Sequence, residues 1–72
     1  MIKVMEIRNT DADNRTVKVS LFSDTKDEVA TTSLDDVIGF PSGMSVEFGS
    51  DLITADGDVA FMKSDGTWNW VE

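Results

Sequence analysis

Asp51-Leu52-Ile53-Thr54-Ala55-Asp56-Gly57-Asp58-Val59-Ala60-Phe61-Met62-Lys63-Ser64-Asp65-Gly66-Thr67-Trp68-Asn69-Trp70-Val71 decides the fold class, because two Asp-Gly pairs nine residues apart cut it into three short apolar segments. Asp-Gly is a leading signal for a two-residue hairpin turn, since both residues take positive φ at little steric cost. The spacing also fits the rhythm of about 8–12 residues that small sandwiches and barrels show. The run therefore predicts three antiparallel strands in sequence, over 51–55, 59–63 and 67–71.

Working back towards the N-terminus, Met44 to Phe48 alternates, with Met44, Val46 and Phe48 on one side, and Gly49-Ser50 breaks it. Phe40-Pro41-Ser42-Gly43 is a turn whose Pro41 and Gly43 forbid continuation of a helix. Before it, Ser33-Leu34-Asp35-Asp36-Val37-Ile38-Gly39 offers a capping serine, an acid three residues on and a left-handed stop, enough for one helical turn. Ser23 to Thr32 is polar and reads as an exposed loop with at most a short edge strand around 29–32. The clearest period-2 stretch is Arg15-Thr16-Val17-Lys18-Val19-Ser20-Leu21-Phe22, which puts Val17, Val19 and Leu21 on one face. It pairs with residues 2–8 across the turn-forming segment Asn9 to Asn14. In that first strand Ile2 and Val4 share one parity while Met5 and Ile7 share the other, so either a bulge near Val4–Met5 or burial on both faces is required. The expectation is one all-β domain over residues 1–72. Its form is a small antiparallel meander or SH3-like barrel of about five or six strands with one short helical turn.

The 72 residues carry 14 Asp and Glu against 6 Lys and Arg, a formal charge of −8, and include no Cys, His or Tyr. A chain this short buries about 60% of its unfolded surface, so its core is thin. The missing Cys and His remove disulfides, a thiolate nucleophile, zinc sites and the usual proton shuttle. So acidic a chain argues against nucleic acid as a partner, because phosphate neutralisation needs clustered Lys and Arg. No apolar run approaches the ~20 residues of a membrane-spanning helix, and no membrane partner is expected. The chain reads as a small gene product kept in a cytosol-like compartment.

Each group that could carry chemistry has a plainer reading beside it. Asp11, Asp13 and Asn14 resemble half a calcium loop, but Arg15, Thr16 and Phe22 stand where such a loop needs an oxygen ligand, Gly and Glu. Asp56 and Asp58, with Asp51, could gather around a hard cation, yet turn chemistry already explains Asp56-Gly57. Asp35-Asp36 point in different directions on one helical turn and complement its dipole, so they do not form an acid–base pair. No cofactor, metal or catalytic set is expected, and the protein is read as not an enzyme. Trp68 and Trp70 share a face two residues apart, which fits core packing, an interface anchor or a sugar platform. With Phe61 they form the expected partner-binding set. Charge is uneven: residues 1–36 hold 5 basic and 8 acidic side chains, whereas residues 37–72 hold Lys63 against 6 acids.

The layout of Phe40-Pro41-Ser42-Gly43, Gly49-Ser50, Asp56-Gly57-Asp58-Val59, Phe61-Met62 and Ser64-Asp65-Gly66-Thr67-Trp68 resembles small structural proteins of tailed bacteriophages and prophages. The resemblance covers roughly residues 39–71, and Ala60-Phe61 departs from it where such proteins commonly show Tyr. It implies a virion-associated or morphogenesis protein, found in a bacterial cytoplasm or the virion, acting by binding with no catalytic residues to transfer. Capsid or tail components are then the expected partners, and self-association is one form of that binding. The alternative is a small acidic inhibitor or DNA mimic that binds a basic protein surface. A calcium- or sugar-binding β-module is a third class.

Overall fold

The alternation at the start of the chain sets the sheet. In the computed structural model, which describes residues 1–72, β2 (Thr16–Ser23) buries every second residue: Val17, Val19, Leu21 and Ser23. β1 (Ile2–Asp11) pairs with it antiparallel through the 12–15 turn. The parity slip in β1 is a bulge. Val4 lies opposite Leu21 but Glu6 opposite Ser20, leaving Met5 unpaired, and a second slip between Ile7 and Asn9 leaves Arg8 unpaired. Such insertions re-aim side chains, and both Met5 and Ile7 are exposed.

The C-terminal half is the meander the Asp-Gly pairs predict. β4 (Asp51–Thr54), β5 (Val59–Met62) and β6 (Trp68–Trp70) pair antiparallel in order. Gly57 and Gly66 sit at φ +92° and +87°, in the left-handed region where a Cβ is strained. Asp56 and Asp65 do not take positive φ, so each hairpin closes through a longer loop, 55–58 and 63–67, rather than the expected two-residue turn.

The two halves join by parallel pairing. β4 runs beside β2 in the same direction, Leu52 opposite Leu21, and β3 (Ser45–Val46) lies parallel on the same edge of β2. The sheet is therefore mixed and open, ordered β1-β2-β4-β5-β6. The expected all-β domain of about five or six strands holds, with the antiparallel meander in β4–β6, and no pairing joins β1 to β6 to close the sheet. Parallel neighbours need a long crossover, which residues 24–44 supply.

Between β3 and β4, residues 47–50 face only Lys18 and Val19, so two extra residues bulge out. The bulge turns Phe48 to solvent, 64% exposed, although alternation placed it beside Met44 and Val46. It also carries Ser50 fully inside, where its Oγ accepts the Val19 amide at 3.0 Å. A side chain thus completes the ladder where backbone is missing.

The crossover contains a helix, α1 (Lys26–Thr31), where a loop with an edge strand was expected. Thr25-Lys26-Asp27-Glu28 explains it, since Thr followed three residues later by Glu is a capping sequence. The Thr25 side chain accepts the Glu28 amide, and Glu28 reaches back to the Asp24 amide at 2.8 Å and the Ser23 hydroxyl at 2.7 Å. The second helical piece is the expected single turn, a 3₁₀ turn over Leu34–Asp36 with Ser33 capping. Beyond it Ile38 exchanges backbone hydrogen bonds with Ile2 and Val4 on the outer edge of β1.

This crossover covers one sheet face. Val37 joins Ile2, Val17, Val19, Leu21 and Leu52 in the core, and Val29, Phe40 and Met44 pack against them. Only 11 of 72 residues are buried, so each core side chain carries an unusual share of the stability.

Glu28 fastens the crossover to the chain start. The Met1 α-ammonium donates to its carboxylate, as do the Ser23 hydroxyl and Asp24 amide, and together they hold its pKa at about 2 against an ordinary 4.5. A carboxyl group with a depressed folded pKa contributes stability above its unfolded pKa and loses it as pH falls towards the folded value. Urea midpoints are therefore expected to drop between pH 4.5 and about 2, and to drop less in Glu28→Gln over that window. Equal acid sensitivity in the two proteins would show that Glu28 is not the fastener.

Candidate functional site

The pleat that sends Leu52, Thr54, Ala60 and Met62 into the core sends Ile53, Val59 and Phe61 to the opposite face. Register lines them up. Phe22, Ile53 and Val59 are direct neighbours across β2, β4 and β5, and the next row holds Ser20, Asp51, Phe61 and Asn69. Val71 extends the first row, its amide bonded to the Val59 carbonyl. The crossover lies on the other side of the sheet, so no helix covers this row. Ile53 is 43% and Phe61 47% exposed, high values for large apolar residues in interior strands. Together with Phe22 and Val59 they form an apolar strip on the uncovered face of the sheet.

The β1 and β2 half of the face is polar but internally matched. Arg8 Nη2 donates to Asp51 Oδ1 at 3.1 Å and to the Gly49 carbonyl at 3.2 Å, and Ser20 Oγ donates to the same Asp51 oxygen at 2.7 Å. The Lys3 ammonium stands 5.5 Å from the Phe22 ring centroid, within cation–π range. Met5, lifted by its bulge, borders a groove with Lys3, Val4 and Phe22.

The expected partner-binding residues divide between the two faces. Trp68 and Trp70 are half-buried on the covered side and pack against the core. Lys26 of α1 stands 4.9 Å from the Trp70 ring, and Trp68 lines a cleft of about 360 Å³ with Leu34, Val46 and Met62. Phe61 is on the open face, where its neighbours are Ile53 and Val59 rather than the tryptophans. Phe22, Ile53 and Val59 were not singled out from sequence. The signal was present in Leu52-Ile53 and Val59-Ala60-Phe61-Met62, where consecutive apolar residues leave both faces of a strand apolar.

The acidic groups are engaged in turns. Asp11 accepts the Asn14 side-chain amide and the backbone amides of Asn14 and Asp13, which lower its pKa. Asp65 accepts the Thr67 hydroxyl and amide, with the same effect. Asp58 and Asp56 follow the far end of β4, whereas Asp51 begins it and bonds Ser20 and Arg8. No three carboxylates come close enough to hold a metal ion. Carboxylates lie at both ends of the sheet, at the 12–15 and 63–66 turns and at the 55–58 turn, and also on the crossover at Asp27, Asp35 and Asp36.

Comparison with known proteins finds no family model that matches this chain, and no curated protein or solved structure with significant similarity to it.

Proposed function

We propose that this protein is a non-catalytic protein-interaction module that works through its open sheet face, as a structural or morphogenesis accessory of a tailed-phage or prophage virion. The observation that carries the interaction reading is the apolar row Phe22–Ile53–Val59 with Phe61 beside it, left without a second layer. Burying such side chains is worth about 25 cal/mol per Å² of apolar surface, and a thin domain cannot collect that energy internally. The virion assignment draws on the resemblance carried by residues 39–71. The same stretch supplies the meander that presents Ile53 and Phe61.

The test is light scattering on size-exclusion fractions of the chain mixed with purified capsid, portal and tail proteins. Co-elution with at least one of them is expected, and loss of it in Phe61→Glu with an unchanged circular dichroism spectrum. A chain that binds no virion component would overturn the virion assignment. The acidic-inhibitor alternative draws less support, because carboxylates spread over both sheet ends and the crossover do not form one continuous acidic face.

A further inference from the structure

We infer that a second copy of this chain covers the open sheet face, giving a symmetric face-to-face sandwich in which Ile53 and Phe61 lie nearest the twofold axis. The inference rests on the interaction reading above and names its first partner. Charge is the first argument. The protein carries −8 overall, yet the strand residues of this face balance, with Lys3, Arg8 and Lys18 against Glu6, Asp11 and Asp51. The excess negative charge therefore lies elsewhere, on the turns and the crossover. Two copies meeting through this face keep their acidic surfaces pointing apart. Like-charge contact across an interface is strongly unfavourable.

Size is the second argument. A ten-residue strand at a rise of ~3.3 Å spans ~33 Å, and the molecule measures 34 × 22 × 20 Å. The two longest extents of the molecule, 34 and 22 Å, set the upper bound on that face, which falls just under the ~800 Å² per partner that a standard interface buries. Geometry supplies the third argument. Sheets pack face to face with strands inclined about 30° and side chains interdigitated. Phe22, Ile53 and Val59 form one row across three strands, and Met5 and Val71 extend it at its two margins. A twofold axis makes such a contact self-complementary and closed, so association stops at two.

The experiment is sedimentation of the full chain over a concentration series, in low and in high salt. A dimer is expected, and it should tighten by several-fold as salt rises from about 0.05 to 0.5 M, because screening weakens repulsion between two acidic chains. Ile53→Glu and Phe61→Glu each place two carboxylates face to face at the axis and should weaken it by at least about tenfold. Leu34→Glu, on the covered side, should leave it unchanged. A folded chain that stays monomeric at millimolar concentration overturns the inference, as does a dimer that survives both face variants or is lost in Leu34→Glu. A strict monomer that still co-elutes with a virion protein through Phe61 would overturn the second-copy inference while the proposed function stands. A dimer that binds no virion component would do the reverse.

Discussion

Leu52→Ala is expected to lower the free energy of unfolding by about 2–5 kcal/mol, the range for emptying a well-packed leucine site. Leu52 is 1% exposed and sits in the middle strand, with Leu21 opposite on β2 and Ala60 opposite on β5. Ala60 has no atoms to swing into the space, and Leu21 is held by its own ladder pairing, so the cavity would stay largely open. A domain of this length holds roughly 4–11 kcal/mol in total, at 0.05–0.15 kcal/mol per residue. The substitution therefore removes a large fraction of it. Tryptophan fluorescence in urea should show the midpoint falling by about 2 M or more, for a slope near 1 kcal/mol per M. Leu52→Met keeps the volume and should cost less than about 1.5 kcal/mol, which leaves a folded reference if the alanine variant fails to fold. A shift under half a molar for Leu52→Ala would mean that the crossover does not cover this face.

Ser50→Ala is expected to destabilise by about 1–3 kcal/mol, although it removes a single oxygen. Ser50 is fully buried, and its Oγ is the acceptor for the Val19 amide at 3.0 Å. Every buried side-chain polar atom in the protein has a partner. The alanine variant would strand a backbone donor in the centre of the sheet, away from water. Hydrogen exchange at Val19 should quicken, and the urea midpoint should fall. Ser42→Ala and Ser64→Ala, on exposed turns, should stay within about 0.5 kcal/mol of the parent. Unchanged exchange at Val19 would show that water or backbone supplies the acceptor instead.

Much of this architecture was legible because it is local. Val17, Val19 and Leu21 declared the buried face of β2 by alternation, and Asp56-Gly57 and Asp65-Gly66 declared their hairpins by turn chemistry. The slipped parity at Val4–Met5 left a bulge or two-sided burial open, and the register shift there is the bulge. What stayed hidden was either masked by charge or non-local. Residues 24–32 look like a solvated loop when their charges are weighed, and only the Thr25…Glu28 capping pair shows the helix. Gly49-Ser50 looks like a break, because nothing near it reveals that Ser50 will meet Val19 thirty-one positions away. The open face was half legible. Trp68 and Trp70 were identified by size, whereas Ile53 and Phe61 become a patch only when β2, β4 and β5 are set side by side.

The parallel seam between β2 and β4 also orders the events of folding. The β1–β2 hairpin and the β4–β5–β6 meander close through turns of a few residues, and hairpins of that kind form in about 1–10 μs. The seam joins Ser20 to Asp51 and Ser23 to Thr54, so it requires a long loop to close before any of its hydrogen bonds reward the loss of chain entropy. Two quick, individually unstable half-sheets must meet, with the crossover laid over them in the same step. The barrier to the native state is placed at the seam. Until it closes, the core side of each half-sheet is as bare as the outer face, so the unfinished chain is more adhesive than the finished one.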